Sequence, residues 1–399
     1  MVLLGAGASM DAGLPGSFRL TDMILDHLHA NGGPSVELAA AQFVYHSLAA
    51  ENARRRQFEG VDVERFVAAV NLLGGRREHP IAPFVDAWRG GVEDIESTLE
   101  GVQQSAGRFV SAVAAQSGQD PNRYRGHVDS EQIGAQLIDV IQSVTGQRRS
   151  RSVFHGLDWR LRQSLFRLLD IPDPAVTSYL SPLVRTAHDH EWSIATLNYD
   201  LAVESCATGQ LIEVTVGVES WATEEQLVFR DDALTLLKLH GSIGWSMARQ
   251  PRPGALATTL VDVFTGMSAS PGSDQPAIIF GEGNKLSAAG PFLDLFMEFS
   301  RRLSQATTLV IVGYSMRDDH VNEVIARWMN RDSAHRLIWL DPTLPVDEPG
   351  GIRTRSYDPR QPFRNELINL HDNSAPERIL MISATARDGI ASAIEQALG

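Results

Sequence analysis

Six short clusters of small, polar or ionisable residues stand out because each follows an apolar run. They are Gly5, Ala6, Gly7, Ala8 and Ser9 after "MVLL", Asn198-Tyr199-Asp200 after "SIATL", and His240-Gly241-Ser242 after "LTLLKL". Gly281-Glu282 follows "AIIF", Gly313-Tyr314-Ser315 follows "TLVIV", and Asp341 follows "RLIWL". Without a Cβ at Gly5 and Gly7, backbone N–H groups can approach a pyrophosphate, and a helix N-terminus behind them favours negative charge. The same turn serves equally as strand-to-helix packing, because Met10 stands where the full dinucleotide fingerprint has its third glycine. Asn198 suits the orienting of a ribose hydroxyl or a water, with Asp200 supporting it; the alternative is an Asx turn that closes a strand. His240, at a strand tip beside a glycine, suits proton transfer near neutral pH, although a lone histidine is more often structural.

The elements that must carry these clusters are legible from hydropathy. Val2–Leu4 reads as a buried strand, with a helix expected over residues 11–28. From about residue 31 to 189 the pattern is helical with no convincing strand; Val63, Phe66, Val67 and Val70 form one helix face, and Leu161, Leu165, Leu168 and Leu169 another. From Trp192 onward strands alternate with helices. "WSIATLNYD", "LTLLKLHGS", "AIIFGE", "TTLVIVGYS", "RLIWLDP" and "RILMISATA" read as strands. Phe292, Leu295, Phe296, Phe299 and Leu303 mark one helix, and Asp318-Asp319 sit where an N-cap belongs ahead of another. This rhythm predicts an α/β fold: a Rossmann-like, doubly wound parallel sheet formed by residues 1–30 and 190–399, interrupted by an all-helical insertion over 31–189. In such sheets ligands bind at the carboxyl ends of the strands, where the six clusters lie.

Composition narrows the function. The 399 residues carry a net charge of −14. That disfavours direct nucleic-acid binding, which depends on Lys and Arg neutralising phosphates. The basic stretches at residues 54–56 and 147–151 read as solvated faces. No apolar run approaches the roughly 20 residues of a membrane helix, and no leader pattern precedes the first strand, so a cytoplasmic protein is expected. The single cysteine, Cys206, leaves no disulfide framework and no multi-cysteine zinc site.

In the order GAGAS, TLNYD, KLHGS, FGE and VGYS, the clusters resemble the sirtuin (SIR2) family, over nearly the whole chain except the helical insertion. The resemblance implies cleavage of the nicotinamide–ribose bond of NAD+, bound as substrate. It implies that Gly5, Ala6, Gly7 and Ser9 hold the pyrophosphate and its neighbours, that Asn198 and Asp200 sit at the nicotinamide ribose, and that His240 is the catalytic histidine. Gly313 and Ser315 would line the adenosine side, Asp341 would reach the adenosine ribose, and the stretch around Thr385 would close over the adenine. Two departures qualify it. The four-cysteine zinc module of deacylating sirtuins, which helps shape the acyl-lysine groove, has no counterpart between His240 and FGE, so no metal is expected and deacylation is disfavoured. "GLPGSFR" carries an extra residue between Pro15 and Phe18, so the family's roles for that loop do not transfer.

Zinc-free chains with an expanded helical region look like the SIR2-like NAD+ glycohydrolases of bacterial anti-phage systems. The stand-alone subunit paired with a HerA-type ATPase matches this organisation, which implies an oligomer with that partner. The helical insertion then serves as lid and packing layer, or as oligomerisation and partner surface. Two other functions remain open: an NAD+- or ADP-ribose-binding regulatory subunit without catalysis, and an NAD+-dependent protein deacylase.

Overall fold

Strands Val2–Leu4 (β1), Ile194–Thr196 (β2), Val214–Thr215 (β3), Leu234–Lys238 (β4), Thr308–Val312 (β8), Arg336–Leu340 (β9) and Ile379–Ile382 (β10) form one seven-stranded sheet. This is a computed structural model, and it describes residues 1–32, 35–55, 60–85, 153–250, 258–263, 276–279, 290–345, 361–373 and 376–399. The strand order is β10-β9-β8-β1-β2-β4-β3, and every neighbouring pair is parallel. β1 pairs Val2 with Ile194 on one side and with Val310 on the other. Later strands therefore run off from β1 in two directions, which makes its carboxyl end a topological switch point, the usual ligand crevice of open parallel sheets. This is the α/β Rossmann-like sheet that the strand–helix alternation predicts.

The central strands are apolar because both of their faces are covered. Leu309 to Val312 and Leu337 to Leu340 are all buried. The C-terminal helix, Ala386–Leu398, packs on β8 and β9 and touches the helix Ser181–Asp189, which also meets β4. Phe292, Leu295, Phe299 and Leu303 are the buried face of the helix Phe292–Leu303. In the helix Asp319–Arg331, Val321, Val324, Ile325 and Trp328 are buried, and Asp318 caps the N-terminus through His320 N–H at 3.0 Å and Val321 N–H at 3.2 Å.

Two expectations change, and one strand went unread. The "AIIF" segment is not part of the parallel sheet. Pro276–Ile278 (β7) pairs antiparallel with Gly241–Gln250 (β5), which also pairs antiparallel with Thr258–Val263 (β6), in a separate three-stranded sheet. A short apolar run shows that a strand exists and is silent on its partner. The short edge strand β3 carries too little pattern to be read. The helix expected from residue 11 begins at Ser17, because Ala6–Ala8 and Met10–Ala12 are 3₁₀ turns and Gly13 is left-handed at φ 86°.

The chain divides into two compact units, Met1–Gly16 with Leu169–Gly399, and Ser17–Leu168. Hydropathy instead places residues 17–30 with the sheet and 169–189 with the insertion. The second unit contains the helices Ser17–Gly32, Val36–Arg54, Val63–Gly75 and Val153–Leu168, each touching the other three. Phe66, Val67, Val70, Phe154, Leu157, Leu161 and Leu165 supply its fully buried stripe. Ser35 and Asp62 cap two of these helices by accepting from Leu38 N–H and Glu64 N–H. Among the described residues no helix is long and apolar enough to cross a membrane, and no group of three His, Cys, Asp or Glu could hold a metal ion.

Candidate functional site at the carboxyl ends of the strands

The loop after β1 is pressed against the loop after β8. A Cβ on Gly5 would lie 2.6 Å from both Gly313 O and Tyr314 Cα, and one on Gly7 would lie 2.8 Å from Gly313 Cα. Gly313 itself has φ 61°, and its Cβ would fall 2.3 Å from Ala8 N. Here glycine is required for backbone to meet backbone. The N–H groups of Gly5 and Gly7 donate to Val312 O at 3.0 Å and Gly313 O at 2.9 Å. This corrects the physical reason for those glycines: their donors are used inside the fold and are not free for a phosphate. Ala6 is exposed, and its N–H is the one of residues 5–9 with no backbone acceptor among the described residues.

The loop after β2 is tied to the same turn. Asn198 Nδ2 donates to Gly5 O at 2.9 Å and to Ser9 Oγ at 3.0 Å. A carbonyl only accepts, so these contacts fix which end of the amide is nitrogen and leave Oδ1 as an acceptor. Ser9 is 4% exposed, so it holds Asn198 in place and does not line an open surface. Asp200 is buried, and its Oδ1 accepts from Ala202 N–H at 2.9 Å, the Asx turn that was the plain alternative for this motif. Its backbone carbonyl accepts from the Lys238 ammonium, which is fully buried and also 2.7 Å from Glu204 Oε1. Asp200 thus shapes the loop that presents Asn198.

His240 ends the extension of β4 and is 4% exposed. Its ring lies 6.4 Å from that of Tyr199, and Ile243 N–H donates to Tyr199 O at 2.9 Å, so the β2 and β4 loops abut. His240 Nε2 is 2.9 Å from Asp318 Oδ2, and both side chains are buried. His240 Nδ1 is buried and has no hydrogen-bond partner among the described residues. An unpaired buried polar atom costs about 1–3 kcal/mol. Thr215 Oγ1, His320 Nε2 and Trp339 Nε1 share this state, and of these residues only His240 combines it with a carboxylate on its other nitrogen at a strand tip. Asp318 follows Tyr314, whose hydroxyl lies 2.9 Å from Asn322 Oδ1 and accepts from Asp318 N–H at 3.0 Å. Four loops therefore close on one another: residues 5–9 hold Asn198, Tyr199 abuts His240, His240 meets Asp318, and Tyr314 backs onto Gly5.

Other predicted residues lie outside this circuit. Ser315 is exposed beside it. Asp341 does not present a free carboxylate: it is buried, its Oδ1 accepts from Thr343 N–H at 2.7 Å, and Arg364 Nη1 lies 3.9 Å from its Oδ2. Thr385 is the N-cap of the helix Ala386–Leu398, with Oγ1 engaged by Asp388. That helix is also joined to the first loop, since Arg387 N–H donates to Asp11 Oδ2 at 2.7 Å and its guanidinium to Asp11 O at 2.7 Å. Tyr179, which carries no sequence signal, donates to Ala8 O at 2.6 Å. Burial, followed by the charges of Asp200 and Asp11, pushes its phenol pKa well above the ordinary tyrosine value. Asp318 was legible only as a helix cap. The Gly281-Glu282 pair and the basic run 147–151 lie outside the described residues, as does Arg56. Arg54 and Arg55 pair with Glu51.

Comparison with known proteins supplies a family over part of the chain. Residues 193–355 match the SIR2-like domain, a span that includes Asn198, Asp200, His240, Gly313, Asp318 and Asp341. No curated protein matches the chain. Among solved structures, a Sir2 homologue in complex with NAD is 11% identical with a TM-score of 0.37, covering 100% of this chain and 88% of that one. A Sir2 homologue mutant with 2′-O-acetyl-ADP-ribose is 12% identical with a TM-score of 0.37, covering 100% and 90%. Sir2Tm bound to a propionylated peptide is 10% identical with a TM-score of 0.31, covering 59% and 78%. At these scores the likeness carries no structural argument, and the fold rests on the strand pairing above.

Proposed function

We propose that this chain, whose residues 193–355 match the SIR2-like domain, is an NAD+ glycohydrolase that releases nicotinamide and ADP-ribose. The observation that carries the reading is His240: a buried imidazole with one nitrogen on a carboxylate and the other without a partner among the described residues, on a loop that abuts the one carrying Asn198. A binding module has no need of an unpaired base. Asn198 Oδ1 orients the attacking water or a ribose hydroxyl, and Asp200 with Lys238 holds the loop that carries it. The water gives its proton to His240 as its oxygen joins ribose C1′. The C1′–N bond breaks with its electron pair returning to the pyridine nitrogen, so nicotinamide leaves neutral and needs no acid. The cysteine-free interval after His240 supports hydrolysis over deacylation. We place the activity in cytoplasmic anti-phage defence, with self-association and a HerA-type ATPase controlling it.

Nicotinamide release from purified protein incubated with NAD+ tests this. Wild-type protein should release nicotinamide without any acylated peptide. His240→Ala and Asn198→Ala should each lower the rate by at least about 10²-fold while remaining folded. Wild-type turnover in either variant overturns the assignment. Release that requires an acylated peptide assigns a deacylase, and NAD+ binding without release, alone or with the ATPase, assigns a regulatory subunit.

A further inference from the structure

We propose that Asp318 is the positioning residue of His240, holding the imidazole in the Nε2–H tautomer so that Nδ1 is the basic nitrogen. The base's task rests on the glycohydrolase reading, whereas the tautomer does not. A carboxylate only accepts hydrogen bonds, so in the neutral imidazole the 2.9 Å contact with Oδ2 puts the ring proton on Nε2 and the lone pair on Nδ1. Nδ1 is buried and has no partner among the described residues.

The carboxylate has little freedom to turn away. Its other oxygen, Oδ1, accepts from His320 N–H and Val321 N–H at the head of the helix Asp319–Arg331. The loop behind it is pinned: Tyr314 Oη accepts from Asp318 N–H, and Asn322 Nδ2 donates to Met316 O at 2.9 Å. Met316 is buried at φ 58°, a left-handed conformation that costs a non-glycine residue about 1–3 kcal/mol. A helix cap alone needs one oxygen, and serine or asparagine would supply it. The second oxygen on a buried imidazole, aimed by a strained loop, is what a cap leaves unexplained.

Asp318→Asn separates the two roles. The amide oxygen still caps the helix, while the amide nitrogen faces Nε2 and donates to it, moving the ring proton to Nδ1. ¹⁵N NMR of histidine-labelled protein, with His240→Gln to assign the signal, should show His240 protonated on Nε2 in the wild type and on Nδ1 in the variant. The kcat for nicotinamide release should fall by about 10²–10⁴-fold with KM little changed and the unfolding temperature close to wild type. A wild-type His240 protonated on Nδ1 overturns the proposal. So does an Asp318→Asn variant that keeps wild-type kcat, or one that loses kcat with the tautomer unchanged. Should the wild-type chain release no nicotinamide, the tautomers of the two proteins still decide the positioning role, and only the glycohydrolase reading falls. The wild-type spectrum decides the tautomer even where the variant does not fold.

Discussion

Gly313 is where the sheet's two halves touch at the scale of single atoms, and it should tolerate no side chain. Gly313→Ala places a Cβ 2.3 Å from Ala8 N at a left-handed φ. The overlap alone should cost about 1–3 kcal/mol, and the backbone conformation about 1–2 kcal/mol more. Gly13 is the control: it too has positive φ, at 86°, but a Cβ there meets nothing within 4 Å, so Gly13→Ala should cost only the backbone contribution. Denaturant midpoints of the two variants check the contrast, and equal losses would refute the backbone-packing account. The glycines were visible in the sequence as residues needed for close approach. What approaches them was not visible, because the partner loop is more than 300 residues away along the chain. His240 and Asn198 were legible as residues that could do chemistry. Asp318 was hidden by its own second use, since an aspartate ahead of an amphipathic helix is fully explained as a cap.

Among the elements, the segment around Tyr179 supports the first loop from behind. Tyr179→Phe removes the hydrogen bond to Ala8 O, and the loss should be about 1 kcal/mol or somewhat more, since the acceptor is left unpaired. The pH dependence has a definite sign. Burial and the nearby Asp200 and Asp11 charges raise the phenol's pKa in the fold above its value of about 10 in the unfolded chain. The neutral phenol's contribution is therefore complete below pH about 10 and declines as pH rises beyond it. Tyr179→Phe should flatten this alkaline loss in denaturation measured from neutral to high pH; an identical pH profile would show that Tyr179 does not titrate with unfolding. Strands β8 and β9 and the helix Asp319–Arg331 were legible because their burial is continuous or periodic. The β7 segment was legible as a strand but not as a member of the smaller antiparallel sheet, since pairing depends on a β5 strand whose pattern does not declare its direction.

For the whole molecule, the switch point at β1 predicts a ligand-linked gain in stability. With His240→Ala, which should bind NAD+ without consuming it, 100 Kd of ligand should add about 2.7 kcal/mol, read as a rise in unfolding temperature. No rise at saturating NAD+ would remove the cleft as its binding place. The order of strands in the sheet lay beyond the sequence, because it is set by packing between segments hundreds of residues apart. That separation has a consequence for how the protein is made. Asp11 receives its partner Arg387 from 376 positions further on, and the glycine turn meets Gly313 only when β8 is in place. A nascent chain holds this turn without either companion until the segments carrying Gly313 and Arg387 have been made. The turns that meet here therefore come together only after β8 and the helix Ala386–Leu398 have both been made.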